Sequence, residues 1–183
     1  MPETAPAGVP LRECGGCTLC CKVMGIHALK KDPGSWCAHC DIGKGCKIYD
    51  ARPDGCRIFQ CGYLTLPELD ERFRPSTCHF VVAVKPEAHR IEIHVDQQRP
   101  DAWRKQPYYS WIKQTSRQAM TRNMVVIVYI GRRYWAIYPD RDADLGIARP
   151  GEQIAAKVVD TPTGPRIELY KTSPPNAAAA GAI

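Results

Sequence analysis

From Phe80 onward the apolar positions fall into short, regular runs. Ile91-Glu92-Ile93-His94-Val95 alternates with period two, which predicts a half-buried strand. Phe80-Val81-Val82-Ala83-Val84 is apolar throughout and predicts a β-strand, with Pro86-Glu87-Ala88-His89 as the hairpin loop between the two. Pro107 opens a stretch ending near Asn123 in which Trp111, Ile112, Thr115, Ala119 and Met120 recur at helical spacing. Lys113 and Arg117 lie on another face, so this stretch predicts one amphipathic helix. Met124–Ile130 has the composition of a buried strand, and Gly131-Arg132-Arg133 turns it into Tyr134–Tyr138. A last pair, Gln153–Val159 and Arg166–Lys171, is joined by the turn-rich Asp160-Thr161-Pro162-Thr163-Gly164-Pro165. Residues 79–171 thus predict a small antiparallel sheet with one helix, an α+β layer.

The chain before Phe80 has a different character. Residues 1–13 are rich in Pro, Ala and Gly and predict a disordered lead-in, as the tail from Thr172 predicts a disordered end. Residues 14–61 hold nine of the ten cysteines, several glycines and few apolar runs. Such a segment cannot bury much of a core, so metal ligation would have to help fold it. Residues 62–78 predict a short helix and a loop leading to Cys78. The expected organisation is an irregular cysteine-rich metal-binding domain over 14–78 followed by the α+β domain over 79–171.

Composition narrows the reading. No apolar run approaches the ~20 residues that span a bilayer. Met1–Pro10 has no basic region and no apolar stretch of a secretory signal, so the expected address is cytoplasmic. Thiols there stay reduced, which disfavours a disulfide framework. The formal charge of +6 counts every cysteine as neutral. Eight thiolates with two Zn²⁺ ions, or two [4Fe–4S]²⁺ clusters, would add −4 and leave about +2. The basic surplus therefore offsets a thiolate cluster more readily than it advertises nucleic-acid binding.

The cysteine spacing carries the chemistry. Cys14-Gly15-Gly16-Cys17 is a Cys-x-x-Cys pair, and Cys37-Ala38-His39-Cys40 is another, with nineteen residues between them. Such pairs bend the backbone so that both sulfurs converge on one ion, and this separation suits a four-cysteine zinc site. Cys20, Cys21, Cys46, Cys56 and Cys61 add further donors. Adjacent Cys20 and Cys21 diverge in an extended backbone, which would send them to different centres or leave one structural. Cys14-x-x-Cys17-x-x-Cys20 also reproduces the triple of bacterial ferredoxins, although Met24 stands where the following cysteine would be. Thiolates suit both metals, so spacing leaves zinc and iron, the latter including a [4Fe–4S] cluster, both open.

These residues resemble a known family. Cys14-x-x-Cys17-x-x-Cys20-Cys21, followed by Gly45-Cys46-Lys47-Ile48-Tyr49-Asp50-Ala51-Arg52-Pro53-Asp54-Gly55-Cys56-Arg57-Ile58-Phe59-Gln60-Cys61, is similar to the CxxCxxCC, or YkgJ-type, family of bacterial proteins described as zinc- or iron-chelating. The resemblance covers about residues 14–80. It implies Cys14, Cys17, Cys20, Cys21, Cys37, Cys46, Cys56 and Cys61 as ligands. Cys40 stands where many members carry an apolar residue and is an added candidate. One branch, the flagellin lysine methylases, looks as though it uses these cysteines for an iron–sulfur centre, which implies a redox or group-transfer enzyme as a second reading.

Around the thiols, Arg52 and Arg57 are candidates to hydrogen-bond thiolate or sulfide and so tune a centre. Tyr49 and Phe59 are expected to pack against it. Cys78, far off in sequence, reads as a small buried hydrophobe. His39 and His79 are alternative ligands, while His27, His89 and His94 read as surface or pairing residues. No nucleotide-binding loop, nucleophile elbow or His-Glu-x-x-His occurs. Trp103–Trp111 mixes basic and aromatic residues as single-strand nucleic-acid sites do, giving a third reading, a zinc-stabilised nucleic-acid module; packing of those aromatics on the sheet is the stronger expectation. The sheet domain is expected to serve as scaffold or protein-partner surface.

Overall fold

The computed structural model describes residues 12–161 and 164–173, with no account of the side chains of Thr161 and Pro165. The expected disordered ends therefore lie largely outside the described residues. Arg12 is described and is anchored, donating to the carbonyls of Tyr63, Leu66 and Pro67 at 2.9–3.1 Å.

The cysteine segment is built from short pieces: α1 (Cys20–Val23), a two-strand ribbon β1 (Cys40–Asp41) and β2 (Gly45–Cys46), α2 (Asp54–Arg57), α3 (Gly62–Thr65) and α4 (Pro75–Cys78). Pro75 opens α4, where its missing N–H costs nothing, and His79 closes it in the left-handed conformation with φ 61°. The remainder is β3 (Phe80–Lys85), β4 (Arg90–Val95), α5 (Tyr108–Thr121), β5 (Val125–Ile130), β6 (Arg133–Ile137), β7 (Asp142–Ile147), β8 (Gln153–Thr161) and β9 (Gly164–Thr172).

The mixed α+β class is as expected, but the sheet differs in three ways. Its order is β3-β4-β5-β6-β7, and the central pair β4–β5 is parallel, Ile93 opposite Val128. The reason lies in the connection. The crossover from Asp96 to Met124 carries α5 back along one face, so β5 starts at the same end as β4. Second, β8 and β9 form a separate antiparallel ribbon and do not extend the sheet. Third, β7, an edge strand with the sequence Asp-Ala-Asp-Leu-Gly-Ile, has too little β-type composition to announce itself. It pairs with β6 through a bulge near Tyr134 and Trp135, where Gly146 at φ 72° takes a conformation that L side chains resist.

Alternation along the strands sorts the core. Phe80 and Val82 of β3, Ile93 and Val95 of β4, Val126 and Val128 of β5 and Ile137 of β6 face α5, meeting Ile112, Ala119 and Trp103. Leu69, Phe73 and Cys78 join the same cluster, so the end of the cysteine-bearing half is packed into the sheet core. Ser116 on α5 donates to the Ile137 carbonyl at 2.7 Å and stitches helix to sheet. On the opposite face Val81 meets Leu19 and Val23 of the α1 segment. Farther along that face Ile127, Ala136 and Tyr138 are covered by Leu169 and Ile154 of the β8–β9 ribbon. Strand β3 is thus covered on both sides, which explains its unbroken apolar run. Among the described residues no helix is long and apolar enough to cross a membrane.

Candidate functional site

The cysteine segment wraps one cavity of about 500 Å³. Its wall includes Cys14, Cys17, Cys20, Cys21, Cys37, Cys46, Cys56 and Cys61. Each arrives on its own local device. Gly15, at φ 53°, makes the turn in which Cys17 N donates to Cys14 O at 2.9 Å. Cys20 and Cys21 open α1, so they are not extended. In a helix neighbouring side chains splay by only about 100°, and both residues reach the same wall. Cys37 N donates to Cys21 O at 3.0 Å, fastening the second knuckle to the first segment, and Cys40 N donates to Cys37 O at 3.0 Å. Cys46 is held by the ribbon opposite Cys40. Pro53 leads α2, which carries Cys56, and Cys61 directly precedes α3.

Burial is the first influence on these thiols. It raises Cys14, Cys56 and Cys61, the last to about 11, although the nearby Tyr63 and Leu64 backbone amides pull Cys61 down. Neighbouring thiolates push in the same direction as burial: Cys17 on Cys14, and Cys21, Cys37 and Cys46 on Cys56. Cys21 is pushed up most strongly, first by its hydrogen bond with Cys20 and then by burial. As protonated thiols the eight can share the cavity. As thiolates they need positive charge among them.

Cations supply part of it. Arg52 lines the wall and pulls Cys14 and Cys56 down; its Nε donates to Tyr49 O at 2.7 Å and its guanidinium lies 3.5 Å over the Tyr49 ring. Arg57, in the last turn of α2, is exposed and is not on the wall. Lys31, one of the basic residues of the cysteine segment expected to offset thiolate charge, is placed here, and so is Arg74, which sequence reasoning had not assigned. Lys31 stands on the wall, its Nζ donating to the carbonyls of Lys22 at 3.0 Å and Asp32 at 3.2 Å, and also to Met24 O. Burial lowers the Lys31 ammonium, while Cys37, Cys21, Cys56 and Cys20 pull it back up. Arg74 reaches the carbonyls of Glu13 and Cys14 at 3.4 Å, pairs with Glu71, and pulls Cys14 down. Nothing local in the sequence marks Arg74; it arrives through the turn that precedes α4.

The other candidates separate cleanly. His39 and Phe59 line the cavity, as does Tyr49, whose ring is largely exposed beneath Arg52. Cys40 is off the wall, its amide donating to Cys37 O and its backbone paired with Cys46 in the ribbon, and burial raises its thiol to about 11. Cys78 is buried in the sheet core, its sulfur against the carbonyls of Phe73 and Phe80 at 3.4 and 3.2 Å, and burial raises it to about 12. His79 caps α4 away from the wall. His94 pairs with Glu92 on the sheet. Trp103 is fully buried, and Tyr108 and Trp111 pack on the same core.

The donor set suits a thiophilic metal: eight sulfurs from separate segments, Lys31, Lys44 and Arg52 on the wall with Arg74 reaching Cys14 beside it, and a mostly apolar lining. As the side chains stand, no group of three or more His, Cys, Asp or Glu among the described residues is drawn together tightly enough to hold an ion. The wall is a donor set and not a closed coordination shell. Comparison with protein-family models, with curated proteins and with solved structures finds no match.

Proposed function

We propose that the chain is a cytoplasmic metal-binding protein whose cysteine cavity takes zinc or iron through thiolates. One observation carries this reading: eight cysteines spread over residues 14–61 face a single cavity, with Lys31, Arg52 and Arg74 placed to offset thiolate charge. The resemblance of the Cys14–Cys61 pattern to the CxxCxxCC family is in keeping with it. The sheet acts as the scaffold that fixes α1, and its remaining surface is available to a protein partner.

Cys14, Cys17, Cys20, Cys21, Cys37, Cys46, Cys56 and Cys61 would hold the group. Bound zinc would lock the fold, whereas an iron–sulfur centre would supply electron transfer or group-transfer chemistry. The protein's own contribution is to hold the thiol-bearing segments around one space, to place cations beside them and to keep the surroundings apolar. Eight cysteines on one wall exceed the four donors that a single tetrahedral zinc takes, which favours more than one ion or a cluster. This keeps the iron–sulfur enzyme as the second reading. The nucleic-acid reading draws no support from Trp103, Tyr108 and Trp111, whose rings are taken up by the core.

The test is a pair of variants analysed anaerobically for metal. Cys17→Ser should lose metal, while Cys78→Ser, in the core, should retain the wild-type content. Equal loss in both would refute the assignment.

A further inference from the structure

The eight wall cysteines do not all rest on the same support. Cys17, Cys20 and Cys61 pack on the Leu19–Val23–Val81 cluster of the sheet face. Cys14 is tied to them by the turn in which Cys17 N donates to Cys14 O at 2.9 Å. Cys61 is fixed from behind: a Cβ on its neighbour Gly62 would lie 3.1 Å from the Val82 carbonyl oxygen, so α3 sits directly on β3. Among the described residues, Cys21, Cys37, Cys46 and Cys56 take no part in that packing. They have their own fastening. Cys37 N donates to Cys21 O at 3.0 Å, Cys40 N closes the knuckle on Cys37 O, and Cys40 stands opposite Cys46 in the β1–β2 ribbon. Cys56 comes to them on α2. The influence of one thiolate on another divides along the same line. Beyond the burial that raises both, Cys61 is pushed up by Cys14 and Cys17, and Cys56 by Cys21, Cys37 and Cys46. Cys14 feels Cys17 more than Cys21, so the two sets adjoin.

We propose that the cavity is two adjoining four-sulfur centres, one from Cys14, Cys17, Cys20 and Cys61 against the sheet and one from Cys21, Cys37, Cys46 and Cys56 on the ribbon side, with α1 as the join. The inference deepens the metal-binding reading of the cavity and rests on it. Helix α1 makes the division. Consecutive side chains on a helix splay by about 100°, so Cys20 turns onto the Val81 cluster while Cys21 does not. Adjacent cysteines at this point therefore serve two sites at once. A tetrahedral metal takes four donors, and eight wall cysteines fill two such sites with none left over. Four thiolates around one Zn²⁺ carry a charge of about −2, which calls for a cation beside each centre. Arg74 reaches the Cys14 carbonyl at 3.4 Å beside the first. Lys31 stands on the wall beside the second, where Cys37, Cys21 and Cys56 are the thiolates it feels most. Arg52 lies between them and pulls down both Cys14 and Cys56. Cys40, off the wall, belongs to neither.

The experiment uses the full chain, anaerobically reduced and stripped of metal, with Co²⁺ as the probe, because its thiolate charge-transfer bands report on the sulfurs directly. Circular dichroism records whether each protein is folded. Wild type should bind about two Co²⁺ ions per chain. Cys17→Ser with Cys61→Ser should bind one, and so should Cys21→Ser with Cys56→Ser, because each pair disables a single centre. Cys17→Ser with Cys56→Ser should lose both. A second measurement needs no variant. Wild type given one equivalent of Zn²⁺ is pulsed with N-ethylmaleimide, and the intact chains are mapped by fragmentation in the mass spectrometer. Chains with four of the eight wall cysteines labelled should carry all four labels on one set. Labels mixed across the two sets overturn the division, as does retention of one ion by Cys17→Ser with Cys56→Ser. Loss of both ions in all three pairs, with labelling of all eight wall cysteines or none, would show one polynuclear centre; that overturns the division and leaves the metal-binding reading standing. A folded wild-type chain that takes up neither Co²⁺ nor Zn²⁺ removes that reading and this inference with it.

Discussion

Lys22 Nζ lies 2.7 Å from Asp96 Oδ1 and 2.8 Å from Oδ2, with both side chains buried. The same ammonium donates to Gln98 Oε1 at 2.9 Å and faces the Trp36 ring at 5.6 Å. Lys22 directly follows Cys20 and Cys21 on α1, and Asp96 directly follows β4. The pair therefore clasps the thiol-bearing helix to the sheet. It works alongside the Leu19–Val23–Val81 contact and the exposed Arg132–Asp32 pair at 3.0 Å.

Removing one partner of this clasp strands the other. Asp96→Ala is expected to cost about 3–5 kcal/mol, because a buried ammonium loses its counter-charge. Lys22→Met with Asp96→Leu should cost clearly less than the two single changes together. Chemical denaturation of the four proteins in a double-mutant cycle measures this. Strict additivity would show that the pair is not coupled.

Glu92 gives a pH-dependent prediction. Its buried carboxylate lies 3.1 Å from His94 Nε2, 2.7 Å from Arg90 Nε and 3.4 Å from the Tyr129 hydroxyl. Burial pushes the carboxyl up, but the hydrogen bond from His94 and the charges of His94, Arg90 and Lys85 outweigh it and hold it below the usual range. A lowered carboxyl contributes stability above its unfolded value of about 4.3 and loses it as pH falls through the folded value. Glu92→Gln should cost about 1–3 kcal/mol at neutral pH. Denaturation curves at a series of pH values should show the gap to wild type closing in acid; a gap independent of pH would refute the pairing.

Cys78 behaves with the opposite sign. Burial raises its thiol to about 12, so its contribution is complete below the unfolded value of about 8.5 and is lost as pH rises towards the folded one. The metal-free chain should lose stability as pH climbs above about 9. In Cys78→Ala part of that alkaline loss should vanish, at the cost of a small cavity. Parallel alkaline denaturation series for the two chains decide it, and identical slopes would place the Cys78 thiol outside the core.

Local pattern made much of this legible. The runs at Phe80–Val84, Ile91–Val95 and Met124–Ile130 are strands, and the Trp111–Met120 periodicity is α5, because each reports which face is buried. Partner choice is not local. Nothing in Ile91–Val95 says that it lies parallel to β5, and nothing in Gln153–Val159 says that β8 leaves the sheet to cover it. At the cavity, spacing shows Cys14/Cys17 and Cys37/Cys40 as knuckles, but it treats the four thiols alike. Only tertiary placement leaves Cys40 off the wall while Cys14, Cys17 and Cys37 line it. Cys20 and Cys21 diverge only in an extended backbone; here they begin α1, a local conformation that adjacent cysteines do not announce, and both reach the same wall. Lys31 and Arg74 belong to the site by folding, one through backbone carbonyls and the other through Cys14 and Glu71.

The most direct measurement is metal and acid-labile sulfide analysis of the full chain purified anaerobically under reducing conditions. The account predicts a loaded protein: either colourless with about one zinc per four thiolates, or brown with iron and matching acid-labile sulfide. A folded chain that carries neither zinc nor iron, and takes up neither on reconstitution, would contradict it.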